Sequence, residues 1–415
     1  MYSKSILTSL LLWGAATACN NDQVGIGDYT NTWVHQALSY QRQLDHDQPL
    51  SRSTFLATHN SFNSKAYYSF DPNQVNSITD QLRMDIRALE LDVHSFAGAL
   101  VLCHGTAEHL GCFPNNRSFR QGLEEIAQWL TAEENKNEVL ILYFEEHINS
   151  ADYSEAVQVI EDVLGTFVFK PQSGGCEGIP VALSKADILA ADKQILLMSD
   201  GCPNDLYSSW VYGGIGDYLN GYPTGDLENV ADFPLCDTVD FDRDAFNSLL
   251  VRYYEDRTLI SALYGDPPPP ITAQKMPLLI KCEANIIGMD KLMPSDGRLE
   301  AAIWSWSPQQ PVNLLGTEDC ATQTDSGKFI ASQCDEIKAF ACKHPLTQQW
   351  SAVTTTGTWQ DGAALCAQQG LLFAVPFSGY DNELLKIAKQ QAGVAEVWLN
   401  YSDISSEGDW NNTTP

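Results

Sequence analysis

From residue 53 onward, short apolar runs alternate with amphipathic stretches. The runs at 53–58, 86–93, 99–103, 138–144 and 194–198 read as strands. Between them, 121–132 places Leu123, Ile126, Ala127 and Leu130 on one helical face, and 154–164 reads as a further helix. Helices are also predicted over 32–44, inside the polar segment 19–50, and over 244–256. Runs at 278–281 and 285–289 read as the last strands. Strand–helix alternation argues for a parallel sheet. The span 51–300 suits an α/β fold of the TIM-type (β/α)8 kind, allowing irregularity, with its active site at the carboxyl ends of the strands. The stretch 202–236 is rich in Gly, Tyr, Asp and Asn and reads as a long loop pinned by cysteines. Its Tyr207, Trp210, Tyr212, Tyr218 and Tyr222 suit either membrane contact or packing inside the loop. From 301 to 415 the character changes: cysteines crowd between 320 and 342, and tryptophans recur at 304, 306, 350, 359, 398 and 410. A separate small module is expected there.

The beginning of the chain changes the picture of where it works. Residues 1–18 carry one lysine, an apolar run and Ala16-Thr17-Ala18 before Cys19, the pattern of a cleaved export signal. The run falls short of the roughly 20 apolar residues that span a bilayer. A secreted or cell-surface protein is expected, with a lipid on Cys19 as a variant. Eleven cysteines become ten without Cys19, and an even number in an exported chain suggests disulfides. Asn116, Asn400, Asn411 and Asn412 head Asn-x-Ser/Thr triplets, which are glycan acceptors if the host is a eukaryote. The net charge of −29 argues against nucleic acid as a partner, because phosphate binding needs clustered cations. It also argues against adhesion to an anionic membrane by general charge.

The chemistry is concentrated at the ends of the predicted strands. His59-Asn60 follows the first; Glu90 and Asp92 lie two apart on the second and share a face. His104-Gly105 follows the third, and Glu145 ends the run LILYFE. Buried together, unpaired carboxylates repel and take up a proton. A bound hard cation removes that penalty, and Ca²⁺ or Mg²⁺ selects oxygen ligands. Imidazoles are suited to proton transfer near neutral pH. A disulfide between Cys103 and Cys112 would fix the loop that carries His104. His94 reads as structural, and His109 and His147 as surface or supporting residues.

This ordered set resembles the catalytic X region of phosphoinositide-specific phospholipases C, in its metal-dependent form. The match consists of His59-Asn60, Arg87 with Glu90-Leu91-Asp92, His104-Gly105 and Glu145. It is strong over 53–147 and weaker to about 290. The resemblance implies that Asn60, Glu90, Asp92 and Glu145 bind Ca²⁺ in preference to Mg²⁺, and that Arg87 binds substrate. It implies that Glu90 or Glu145 takes the proton of the attacking hydroxyl. His59 would stabilise the phosphoryl oxygen, and His104 would protonate the departing diacylglycerol. The expected substrate is phosphatidylinositol or a GPI-like lipid at a membrane surface, with a cyclic inositol phosphate as first product. Enzymes of this group that act on polyphosphorylated inositides carry lysines after a middle strand. Ser199-Asp200 stands there instead, which favours an unsubstituted headgroup.

The tail resembles C-type lectin-like domains in an inverted order. Glu318-Asp319-Cys320, Cys334 and 339–342 match the closing part, and Trp359, Ala363, Cys366, Gly370, 374–376, Asn382 and 397–400 match the opening. That resemblance implies bridges Cys320–Cys334 and Cys342–Cys366, and makes a glycan a possible partner. Two other functions fit parts of the pattern. One is a metal-dependent phosphodiesterase of the sphingomyelinase D or glycerophosphodiesterase type. The other is a non-catalytic carbohydrate-binding surface protein.

Overall fold

The computed structural model describes residues 25–106, 108–174, 177–213, 215–217, 232–234, 236, 250–264, 267–312 and 316–412. The expected export signal and Cys19 lie outside them, as do Tyr218 and Tyr222. Eight strands make the first sheet: β1 (Phe55–Thr58), β2 (Ala88–Phe96), β3 (Ala99–Leu102), β4 (Leu140–His147), β5 (Ile195–Ser199), β6 (Ile215–Asp217), β7 (Leu250–Tyr254) and β8 (Ile286–Met289). Their order is β5-β4-β2-β1-β8-β7-β6, with every neighbouring pair parallel. Strand β3 folds back antiparallel on β2.

The first strand pairs with the last, so the sheet curls on itself. Just before β6, the Tyr212 N–H donates to the Leu197 carbonyl of β5 (2.9 Å), and the Tyr212 carbonyl accepts from Ser199 N–H (3.0 Å). Tyr212 thus bridges to β5, 215–217 pair with β7, and the curled sheet is of the TIM-barrel type. Its ring holds seven parallel strands among the described residues, with β3 as an outlying hairpin arm. All four β1 side chains are buried, as expected of a parallel strand covered on both faces.

The helix Phe119–Leu130 shows how local sequence seats the outer layer. Ser118 accepts from Gln121 N–H, Gln121 reaches back to Ser118, and Phe119, Leu123, Ile126 and Leu130 are buried. Each such side chain contributes roughly 1.5–3 kcal/mol on burial. Two predicted elements change type. Within 244–256, residues 250–254 form strand β7 rather than helix, while 244–249 lie outside the described residues. Residues Met276–Lys281 form a helix, with Pro277 in its first turn, rather than a strand. Short apolar runs do not carry enough periods to separate the two structures.

The tail forms a second sheet from β9 (Cys320–Gln323), β10 (Phe329–Ser332), β11 (Lys338–Lys343), β12 (Trp350–Gly357), β13 (Leu372–Phe373) and β14 (Val397–Ser402). The order is β10-β9-β14-β11-β12, with β13 on β11. Both expected bridges, Cys320–Cys334 and Cys342–Cys366, are present, together with Cys103–Cys112 and Cys236–Cys282. The tail is welded to the barrel. The helix Trp33–Leu44 sends Trp33 Nε1 to the Gln310 carbonyl (2.6 Å) and Tyr40 OH to the Gly408 carbonyl (2.9 Å). Ser378 donates to Glu283 at 3.0 Å, and one hydrophobic core runs from Leu38 through Leu299 to Trp306 and Tyr401.

Candidate active site

Register builds the site. Strands β2 and β4 place Glu90 opposite Tyr143, Asp92 opposite Glu145 and His94 opposite His147. Because side chains alternate, these pairs form three successive steps on one face, climbing toward the carboxyl ends of the strands. Ligating oxygens of Glu90, Asp92 and Glu145 lie within 4.8 Å of one another. Burial first, then the charges of Glu145 and Glu90, hold the Asp92 carboxyl well above its ordinary range. Burial also acts upward on Glu145, but the His147 hydrogen bond (3.2 Å) and Arg252 outweigh it and bring it down. The two facing carboxyls are thus pushed in opposite directions, Asp92 up and Glu145 down.

Asn60 sits just beyond β1 with φ 45°, a left-handed conformation that asparagine tolerates. Its amide meets the Asp92 oxygens at 2.7 and 2.9 Å and His59 Nε2 at 3.1 Å. With the nitrogen turned to Asp92, the amide donates to the carboxylate and accepts from His59. With the oxygen turned to Asp92, oxygen faces oxygen, and a cation between them is what makes that orientation favourable. The donor set of Asn60, Asp92, Glu145 and Glu90 is all oxygen, and it fits a hard divalent ion.

Two imidazoles flank this cluster. The His59 and His104 ring centres are 6.4 Å apart. Buried His59 holds Asp290 through Nδ1 (3.3 Å), and Asp290 is itself fixed by Asn73 (2.9 Å), Gln74 (3.3 Å) and Arg257 N–H (2.7 Å). Burial would lower the His59 pKa, but Glu90, Asp290 and Asp256 raise it to about 9. His104 Nε2 lies 4.0 Å from Asp256. Burial and then charged His59 hold His104 below the usual histidine range. The bridge Cys103–Cys112 closes its loop, and Gly105 is needed there: an added Cβ would come within 3.0 Å of Cys112 Sγ and the Leu110 carbonyl.

His59, Asn60, Glu90, Asp92, His104 and Glu145 are thus gathered at one end of the barrel. Arg87 is not among them. Its Nε and Nη2 bond Glu138 at 2.8 Å each, and Nη1 bonds the carbonyls of Leu82 and Ile86. It precedes β2, at the opposite end of the strand, so its expected contact with substrate is corrected to a structural one. Of the two expectations for the aromatic residues of 207–222, packing rather than membrane contact holds for the described ones: Tyr207, Trp210 and Tyr212 are buried.

Sequence reasoning missed Arg252, Asp256, Asp290 and Asn73. Arg252 pairs with Glu90 and lies between the Tyr143 and Tyr254 rings (4.6 and 4.3 Å). It was hidden inside a run that reads as helix. Asp290 carried a usable signal, since it follows the apolar run 286–289 as Glu145 follows its own, whereas Asp256 ended the same run that hid Arg252. Asn73 comes from a loop and carried none.

The family described as Rv2075c PI-PLC-like domain matches residues 16–296. Two relatives from Mycobacterium tuberculosis, the uncharacterized proteins MT2135 (strain CDC 1551 / Oshkosh) and Rv2075c (strain ATCC 25618 / H37Rv), are each 32% identical over 404 residues. Each alignment covers 90% of this chain and 80% of the relative. Among solved structures, the phosphatidylinositol-specific phospholipase C from Listeria monocytogenes is 16% identical with a TM-score of 0.43, covering 64% of this chain and 97% of that one. A calcium-dependent phosphoinositol-specific phospholipase C from a Gram-negative bacterium, Pseudomonas sp, is 14% identical with a TM-score of 0.38, covering 60% and 94%. The family match spans the whole constellation from His59 to Asp290, and the chain belongs to the Rv2075c PI-PLC-like domain family.

Proposed function

We propose that this protein is an exported phosphodiesterase that cleaves the glycerol-side P–O bond of phosphatidylinositol or a GPI-like lipid. The observation that carries the reading is the pair of imidazoles 6.4 Å apart beside three converging carboxylates. Asn60, Asp92, Glu145 and Glu90 would hold Ca²⁺, which when bound lowers the pKa of a coordinated hydroxyl and offsets phosphate charge. Arg252 neutralises Glu90 in the same cluster. Protonated His59, anchored by Asp290, presents positive charge to a phosphoryl oxygen. Glu145, held ionised, accepts the proton of the attacking inositol 2-hydroxyl. His104, in its protonated form, donates to the leaving glycerol oxygen. The first products are a cyclic inositol phosphate and diacylglycerol.

The lipid would be met by apolar loops at the barrel mouth. Tyr68 and Phe70 are 95% and 75% exposed, and Phe113 joins them around one hollow. Exposed Leu259 and Leu263 lie on the helix whose Ile260 N–H donates to Asp71. An acidic chain needs such apolar contact with a bilayer, since charge attraction is lacking. Ser199-Asp200 after β5 supports a headgroup without ring phosphates. For the tail we propose a lectin-like module that braces the barrel, the two predicted bridges supporting that reading.

The test is hydrolysis of a phospholipid panel in Ca²⁺ or chelator. Diacylglycerol and cyclic inositol phosphate, formed from phosphatidylinositol only with Ca²⁺, are expected. Release of choline or free glycerol, or no turnover of any lipid, would overturn the proposal.

A further inference from the structure

Each imidazole of the proposed site has an aspartate beside it, and the proposed reaction uses only one of the two. Asp290 bonds His59 Nδ1 at 3.3 Å. Asp256, two residues beyond β7, stands with its Oδ2 4.0 Å from His104 Nε2. This second carboxylate is held in place from behind. Its Oδ1 accepts from the Thr258 N–H (2.9 Å) and the Thr258 hydroxyl (2.8 Å), and its Oδ2 accepts from the Ser261 hydroxyl. Asn73 Nδ2 joins the two aspartates, reaching Asp256 at 3.3 Å and Asp290 at 2.9 Å. The Asp256 side chain is only 8% exposed. Burial acts upward on its carboxyl, but the charge of His59 and the bonds from Ser261 and Thr258 outweigh it, so the group is ionised at neutral pH.

We propose that Asp256 is the positioning residue of His104: it holds the imidazole that protonates the leaving glycerol oxygen, as Asp290 holds the imidazole that faces the phosphoryl oxygen. This role rests on the proposed phosphodiester cleavage and names the residue that supports its acid. Three observations carry it. First, the contact is directional. An imidazolium carries an N–H on each ring nitrogen; with Nε2 turned to Asp256, Nδ1 is left for the leaving group. Second, 4.0 Å exceeds hydrogen-bonding distance, as catalytic contacts often do before substrate binds. Across that gap Asp256 acts by charge. Third, His104 needs such a charge. Burial and protonated His59 disfavour its charged form, and among the carboxylates that favour it Asp256 stands first, ahead of Glu145 and Asp290.

Asp256 also lies near the other imidazole: one polar atom each of His59, Asp256 and Asp290 fall within 4.8 Å of one another. The two assignments differ in what the carboxylate protects. A carboxylate that serves His59 matters for every substrate, because the phosphoryl oxygen is always present. One that serves the acid matters only when the leaving oxygen needs a proton.

The experiment compares the full-length parent, Asp256→Asn and Asp290→Asn on two substrates. One is phosphatidylinositol, whose glycerol oxygen is a poor leaving group. The other is inositol nitrophenyl phosphate, whose phenolate leaves without a proton. Asp256→Asn keeps an oxygen for Thr258 and removes the charge. It is expected to lower kcat on phosphatidylinositol by about 10²-fold and on the aryl ester by less than about 3-fold. Asp290→Asn is expected to lower both by similar factors. The ratio of the two rates within one variant does not depend on how much of it folds. Equal losses of Asp256→Asn on the two substrates, or its full activity on phosphatidylinositol, would overturn the proposal. A parent inactive on both would overturn the phosphodiesterase reading itself, and the role of Asp256 with it.

Discussion

The two ends of the barrel both bury charge, and they do so in opposite ways. At the amino-terminal end, Arg42 pairs with Asp85 (2.8 Å) and Glu138 (3.3 Å), Arg87 pairs with Glu138 (2.8 Å), and Lys185 pairs with Asp45 (2.6 Å). Burial would raise the Asp85 and Glu138 carboxyls, but their cations outweigh it and hold both low. At the carboxyl end, Glu90, Asp92 and Glu145 share Arg252, and Asp92 is driven upward instead. A matched network stabilises the fold; an unmatched one costs stability and invites a cation. A cavity of about 830 Å³ opens at the matched end, lined by Arg42, Asp85, Arg87, Glu138 and Lys185 among others. Its ionic groups already satisfy one another, so size alone does not mark the functional end.

The contrast breaks most sharply at the histidines. His59→Ala and His104→Ala are each expected to lower turnover by about 10²–10⁴-fold while circular dichroism and melting stay near the parent. Full activity in either variant would remove the catalytic role from the carboxyl end. Next comes the matched end. Arg87→Ala leaves Glu138 short of one cation, and such breaks cost about 3–5 kcal/mol. Denaturant unfolding is expected to show that loss, with hydrolysis per folded molecule retained; loss of activity without loss of stability would restore Arg87 to the site.

Asp92→Asn is expected to act with the opposite sign, raising stability as pH rises because the amide carries no charge to repel Glu145 and Glu90, while abolishing Ca²⁺-dependent hydrolysis. The linkage follows from direction. The folded-state pKa of Asp92 is raised, so its stabilising protonated form is fully present below the ordinary aspartate range and is lost as pH rises through the raised value. Glu138 is depressed, so its contribution is present above the ordinary glutamate range and lost as pH falls toward its lowered value. Calorimetry across pH is expected to separate the two. Ca²⁺ is expected to raise the melting temperature of the parent and not of Asp92→Asn. The smallest effect is on the rate profile. His104 has to be protonated to act as the acid, so kcat/KM is expected to fall on the alkaline side with an apparent pKa below the ordinary histidine value. A falling limb near pH 9 would assign the acid to His59 instead.

Much of this was legible in the chain. The strands that carry His59, Glu90, Asp92, His104 and Glu145 were readable because each is a short apolar run ended by a polar residue. The Cys320–Cys334 and Cys342–Cys366 bridges were implied by the tail's resemblance to C-type lectin-like domains, and both are present. Arg252 was not readable, because a run of five residues holds too few periods to tell β7 from a helix. Arg87 was misread for a different reason: adjacency in sequence to Glu90 hides the fact that a strand carries its two ends to opposite ends of a barrel.

What the sequence by itself determined was the kind of chemistry. Alternation along a strand places Glu90, Asp92 and His94 on one face whatever the rest of the chain does, and burying them together creates a demand for positive charge. What the tertiary structure decided was how that demand is shared. Pairing β2 with β4 in register sets Asp92 against Glu145 and His94 against His147. Pairing β8 with both β1 and β7 brings Asp290 to His59 and Arg252 to Glu90. The last two contacts join residues more than a hundred positions apart, and only the pairing of β8 with β1 and β7 brings them within bonding distance.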